Sequence, residues 1–185
     1  MKKAKQQPAP VLPGKPTYKA APMDLGFIVM GHDGDPSKIS TTLHSIERYY
    51  AGAKTLTVVP EEFKKDHQKA LIGGGSITSL INTGMQNAPA EWNVLVFAGV
   101  HIKERLDIRY STFMENRLDI FYPLVWGSWN FIDAPMNGLC IHRDTFPEIG
   151  QFSSDNALEI CKMMWFFDAI DRGCKFKAIA GCRMC

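Results

Sequence analysis

One stretch near the start constrains the fold most. Leu25-Gly26-Phe27-Ile28-Val29-Met30 is a short apolar run closed by Gly31, the pattern of a strand buried on both faces of a parallel sheet. The polar loop Gly31-His32-Asp33-Gly34-Asp35-Pro36 follows. Ser37 then caps a helix to about Tyr50, with Ile39, Leu43 and Ile46 at helical spacing. Thr55-Leu56-Thr57-Val58-Val59 is the next strand, stopped by Pro60. The chain therefore opens β-α-β, a connection that is right-handed in nearly all proteins.

The alternation continues. Residues 61–70 read as a solvated helix and Gly73-Gly74-Gly75 as a loop. Ser76 opens a helix from Ile77 to about Gln86, with Leu80, Ile81 and Met85 inward. Trp92-Asn93-Val94-Leu95-Val96-Phe97 is a third strand, placed centrally. Ile102 to Met114 is mixed in character. Ile120–Val125 and Gly138–His142 read as strands, Asn156–Asp171 as the longest helix, ended by Gly173, and Cys174–Ala180 as a last strand. The expected class is α/β: a mainly parallel sheet with mixed edges, flanked by helices. With 185 residues, 45% of them hydrophobic and 22% charged, the chain suits one domain over 23–185. Residues 1–22 carry five lysines and five prolines and read as a disordered basic tail.

A net charge of +2 is too small to imply a polyanion partner for the whole chain. No run approaches the roughly 18 apolar residues of a membrane span, and the leader lacks a signal-peptide core, so the expected location is cytoplasmic. The five cysteines all fall after residue 139, which does not suit a secreted disulfide framework. Cys182-Arg183-Met184-Cys185 has zinc-ligand spacing but no second pair to complete four ligands, so no metal site is assigned there.

In open α/β sheets ligands lie beyond the carboxyl ends of the strands, where the strand order reverses. Three loops qualify. His32-Asp33-Gly34-Asp35 offers an imidazole and two carboxylates for a ribose, a base edge or a cation, and equally makes a turn and helix start without any ligand. Glu61 and Glu62 after the second strand also suit the positive end of a following helix. Gly75-Ser76 leads into a helix whose backbone amides can hold a phosphate, although neither a Walker nor a Gly-x-Gly-x-x-Gly pattern is present.

The order of segments over residues 24–180 resembles the small bacterial and phage branch of family-two glycosyltransferases, which have the GT-A (Rossmann-like) fold. Phe27-Ile28-Val29-Met30 with Thr42-Leu43-His44-Ser45-Ile46 is similar to that family's opening strand and helix. Ser76 through Asn82-Thr83-Gly84, then Ala88 and Glu91–Phe97, resembles its next stretch. Asn137-Gly138-Leu139-Cys140-Ile141-His142-Arg143-Asp144-Thr145-Phe146 with Ile149-Gly150 looks like the acceptor-side motif. Ala169-Ile170-Asp171-Arg172-Gly173-Cys174-Lys175-Phe176 looks like the closing one.

The resemblance implies a nucleotide-sugar donor over the first half of the sheet and an acceptor over the second. It places His32, Asp33, Asp35, Glu61, Gly75, Ser76, Asn82 and His101 at the donor, and Trp126, Trp129, Asn137 and Arg143 at the acceptor. Catalysis would be direct displacement, a carboxylate taking the acceptor's hydroxyl proton while Mg²⁺ or Mn²⁺ carries the leaving diphosphate. Two departures bear on this. Where the family places Asp-x-Asp, this chain has Phe97-Ala98-Gly99-Val100 and then His101. Where it places a Glu-Asp pair, about eleven residues before Gly173, this chain has Cys161-Lys162, which leaves Asp155 and Glu159 as candidate catalytic acids.

Three explanations stay open: a metal-independent enzyme with His101, Arg105 or Arg143 neutralising the diphosphate, a metal held by Asp33 with Asp35, or a fold that kept binding and lost catalysis. The leading expectation is a glycosyltransferase, with DNA as one possible acceptor given the basic tail and the aromatics. The alternatives are a silent GT-A-like module binding nucleotide, glycan or protein and, third, a nucleotidyltransferase.

Overall fold

The structure, a computed structural model, describes residues 23–123, 136–153 and 157–180. The basic tail, the Cys182/Cys185 pair, and the expected site residues Trp126, Trp129 and Asp155 lie outside the described residues. In chain order the elements are β1 (Leu25–Met30), α1 (Pro36–Tyr49), β2 (Lys54–Pro60), a 3₁₀ turn (Glu61–Phe63), β3 (Leu71–Gly73), α2 (Ile77–Gln86), β4 (Trp92–Phe97), α3 (Leu106–Phe113), β5 (Asp119–Pro123), β6 (Cys140–His142), α4 (Thr145–Ile149), α5 (Leu158–Asp171) and β7 (Lys175–Ile179).

The strands make one seven-stranded sheet in the order β3-β2-β1-β4-β6-β5-β7. β1 pairs in parallel with β2 on one side and β4 on the other, Phe27 lying opposite Thr55 and Val94. Among the described strands β6 alone is reversed, antiparallel to both β4 and β5. The reversal is therefore inside the sheet, not at its edges as expected. All six residues of β1 are buried, which is why its sequence shows no alternation. Phe27 and Val29 point to one face, against Ile46, Ile102, Leu106 and Tyr110. Ile28 and Met30 point to the other, against Leu80, Ile81, Met85, Trp165 and Phe166.

Several expectations are corrected. Asp35, not Ser37, caps α1: its Oδ1 accepts from the Ser37 amide at 2.8 Å and Lys38 at 3.4 Å, and Pro36 takes the first helical position. Residues 61–70 are not a helix. After the 3₁₀ turn, Phe63 packs under Gly34, and the chain then enters β3, a strand the sequence reading missed. The mixed stretch 102–114 contains α3. α5 and α1 each have 14 residues, so α5 shares the greatest length among the described helices with α1.

Candidate functional site

The strand order turns at β1: the chain goes outward through β2 and β3, then returns to β1's other side at β4. The crevice beyond the carboxyl ends of β1 and β4 is the switch point, where such sheets take ligands. Because β6 is reversed, the residues leading into it lie on this same rim. Gly138 donates to the Leu95 carbonyl at 2.7 Å, and the Phe97 amide donates to Asn137 Oδ1 at 3.1 Å. Asn137, an expected acceptor residue, thus stands at the end of β4.

The loop after β1 is held rigidly. The Gly31 amide donates to the Val58 carbonyl at 2.9 Å, and His67 Nε2 lies 2.9 Å from the Gly34 carbonyl. Gly34 has φ +66°, and a Cβ there would stand 2.2 Å from the Phe63 ring, so only glycine fits. Within this loop His32 is exposed, its ring edge-on to Phe97 at 6.1 Å. Asp33 Oδ1 accepts from the Asp35 amide at 3.3 Å, while Oδ2 forms an ion pair with Lys38 Nζ. That ammonium holds the Asp33 carboxyl below the usual carboxylate range, and Asp33 in turn raises Lys38. Asp35 serves the α1 cap.

After β4 there is no carboxylate. Ala98 donates to Met30 O at 3.0 Å. The Gly99 amide is shared between Thr42 Oγ1 at 2.9 Å and Lys38 O at 3.2 Å, and Thr42 Oγ1 donates to Val100 O at 2.9 Å. The backbone is laid along α1 instead of presenting acids to the crevice. Gly99 has φ +96°, and a Cβ placed on it would lie 3.6 Å from Lys38 Cγ and Cδ. The stem of Lys38 therefore covers the segment where the family places its acidic triplet. Among the described residues no group of three His, Cys, Asp or Glu is arranged to hold a metal ion.

The other expected residues divide. Glu61 is exposed on the rim beyond β2, 3.4 Å from Lys64. Gly75 is open, with nothing within 4 Å of a Cβ. Ser76 caps α2, its Oγ accepting from Ser79 N at 3.2 Å. Asn82 clips the backbone of Phe152: its Nδ2 donates to Phe152 O at 2.8 Å and its Oδ1 accepts from Phe152 N at 2.9 Å, which uses one donor and one acceptor of the amide. His101 lies on the flank of α1 beside Thr41, His44 and Arg48. Glu159, at the start of α5, is ion-paired with Lys162, whose side chain is 8% exposed.

Arg143 and Arg105 are displaced altogether. The Arg143 amide donates to Glu91 O at 2.8 Å, beside the first residue of β4. Arg105 lies over the Tyr50 ring at 5.0 Å, forks onto Asp107 at 2.8 and 2.6 Å, and lines a hollow with Leu25 and Lys54, the first residues of β1 and β2. Both are at the amino rim, about 17–20 Å from the crevice for six-residue strands. The cation the sequence reading missed is Lys38. Its signal was its place three residues after the Asp35 cap, on the first turn of the helix leaving the switch point.

No protein-family model matches the sequence, and no curated protein matches it. Solved structures do match. GalNAc-T7, crystallised with UDP, GalNAc and Mn²⁺, superposes with TM-score 0.64 at 11% identity, over 88% of this chain and 43% of its own. A mannosyltransferase from Pyrobaculum calidifontis in complex with GDP-Man and Mn²⁺ gives 0.63 at 12%, over 91% and 61%. TarS residues 1–349 of S. aureus in complex with UDP gives 0.58 at 10%, over 86% and 58%. The chain thus spans less than two thirds of the length of each. At these identities the likeness is one of fold, and the fold is GT-A-like: an α/β class with a mostly parallel mixed sheet. Among the described residues no helix is long and apolar enough to cross a membrane.

Proposed function

We propose that this chain is a glycosyltransferase of the family-two type, binding a nucleotide-sugar donor over the carboxyl rim between β1 and β4. The reading is supported by the placement of His32 and Asp33 after β1 and of Asn137 at the end of β4, with Gly75 after the edge strand β3 further along the same carboxyl rim of a GT-A-like sheet. Asp33 suits the ribose hydroxyls, and Glu61 the base edge. The chemistry is displacement at the anomeric carbon: the acceptor oxygen forms the new bond, the bond to the diphosphate breaks, and the hydroxyl proton passes to a carboxylate. Glu159 is engaged by Lys162, so the base assigned is Asp155. The divalent metal that the fold implies is not matched by the described residues, because Asp35 is spent on a helix cap, β4 ends without an acid, and Asp33 is left as a single carboxylate beside Lys38. No step is routed through it.

The test is a thermal-shift panel of UDP-, GDP-, CMP- and dTDP-sugars, followed by slow hydrolysis of the donor that binds. Stabilisation by one nucleotide, reduced by Asp33→Ala, together with hydrolysis that Asp155→Asn abolishes, is the expected outcome. Flat melting curves across the panel refute it. The missing carboxylates favour a second reading, a silent GT-A-like binding module, for which donor binds but hydrolysis is absent. Residues 1–22, Trp126 and Trp129, on which a DNA acceptor rested, lie outside the described residues, and the acceptor is proposed only as a hydroxyl-bearing compound.

A further inference from the structure

We propose that Lys38 is the cation that receives the donor's diphosphate at the switch point, so that nucleotide binding in this protein needs no divalent metal. The inference rests on the donor-binding reading above and names the group that does the metal's electrostatic work. Three observations carry it.

The first is position. Lys38 leaves the first turn of α1, directly after the loop from β1, and its stem lies against Gly99 at the end of β4, so it spans both lips of the crevice. The second is backbone conformation. Gly99 adopts φ +96° with its amide tied to Thr42 and Lys38, and an aspartate at that position would be strained, so this segment is built to be covered and not to present acids.

The third is the state of the ammonium. Its partner is the Asp33 carboxylate, and the two side chains are 51% and 29% exposed. A pair this open contributes little, no more than about a fivefold factor in any equilibrium, so an incoming anion displaces it readily. The same surface therefore offers a carboxylate and an ammonium side by side. Ribose hydroxyls donate to Asp33, and the phosphate oxygens next to them accept from the released Lys38, which acts as a point charge with three donors. A nucleoside diphosphate has both complements in that order. His32, exposed beside Phe97, is placed to add a second donor. Of the other cations named from the sequence, Arg105 and Arg143 face the opposite rim and His101 lies on the flank of α1.

The experiment is calorimetric titration of UDP, GDP, CDP, ADP and dTDP, and of inorganic pyrophosphate, into the full chain, in EDTA and again in Mn²⁺. It is repeated for Lys38→Gln, for Lys38→Arg, and for Lys54→Gln as an amino-rim control. The expected result has four parts. One nucleoside diphosphate binds equally in EDTA and Mn²⁺. Lys38→Gln weakens it about ten- to a hundredfold, the range for a hydrogen bond to a charged group. Lys38→Arg restores most of the affinity, and Lys54→Gln leaves it unchanged. Pyrophosphate, which cannot engage Asp33 through hydroxyls, binds more weakly but loses affinity in Lys38→Gln too. A urea midpoint for Lys38→Gln matching the wild type shows that the loss is not unfolding. Nucleotide binding that requires Mn²⁺, or that is indifferent to Lys38→Gln, overturns this inference and leaves the donor-binding reading standing. A wild-type chain that binds none of the panel overturns both.

Discussion

Replacing Asn82 by alanine separates a structural role from a ligand-binding one. Asn82 sits midway along α2 and clips both backbone groups of Phe152, at 2.8 and 2.9 Å. Phe152 in turn stacks on Trp165 of α5, with ring centroids 4.6 Å apart. The clip therefore joins α2 to the segment that leads into α5. Asn82→Ala removes two hydrogen bonds worth about 1 kcal/mol each and leaves a half-buried N–H and C=O to find water, adding about 1 kcal/mol. Alanine recovers about 0.6 kcal/mol of helix propensity. The net expectation is a loss of about 2 kcal/mol, a fall in Tm of about 4–8 °C for a domain of this size. Asn82→Asp is no better, because it keeps the acceptor for Phe152 N but sets a carboxylate against Phe152 O. Urea unfolding followed by both tryptophan fluorescence and circular dichroism reads the loss, and nucleotide titration of the folded variant reads affinity. Unchanged stability with lost nucleotide affinity would refute the reasoning and return Asn82 to the donor site.

Three further outcomes are expected. Asp35→Ala costs about 1 kcal/mol in urea unfolding through loss of the α1 cap while nucleotide affinity is kept, since the carboxylate is spent on backbone amides. Gly84→Ala is destabilising by about 1–2 kcal/mol in the same assay, because the new Cβ meets Ile28 Cγ2 at 2.4 Å in the core, and overpacking outweighs about 1 kcal/mol of helix propensity. Burial pushes the Asp107 carboxyl up, but the Arg105 fork and Tyr50 outweigh it and hold it below its usual range. A depressed folded-state value gives stability that is present above the unfolded value of about 4 and lost as pH falls through the folded one. The stability advantage of wild type over Asp107→Asn in urea unfolding, about 1 kcal/mol at pH 7 after screening by solvent, should therefore shrink as pH falls below about 4.

What was legible in the sequence follows from burial. β1 and β4, each an apolar run in the sheet's interior, were read with their observed bounds. β3 escaped because it has three residues at the sheet's edge and follows a lysine-rich stretch that carries no apolar stripe. The site was less legible, for a geometric reason. A strand read from periodicity has no direction, and the direction of β6 sends Asn137 to the ligand rim and Arg143 to the opposite one. Asp35 and Ser76 turned out to be helix caps, a role their sequence context allowed from the start. Lys38 carried no motif signal, because it stands on the first turn of α1, in a stretch whose spacing shows only a helix.

The two acidic positions that the family resemblance leads one to expect are both altered, and the manner of alteration bears on function. At the end of β4 the acids are replaced by a glycine covered by the stem of Lys38. At the start of α5 they are replaced by Cys161-Lys162, and Lys162 is buried against Glu159. At the end of β4 the residues themselves are neutral, and the nearby cation, Lys38, comes from α1 and is ion-paired with Asp33; in α5 the lysine occupies the place itself but is paired with Glu159. A divalent ion held by two carboxylates and a lysine with no acid at the end of β4 both meet a diphosphate with positive charge, the ion at short range and the ammonium through directed hydrogen bonds. The Lys38 titration in EDTA therefore tests the anion binding that both readings require, and hydrolysis of the bound donor is the measurement on which the transferase and the silent module part.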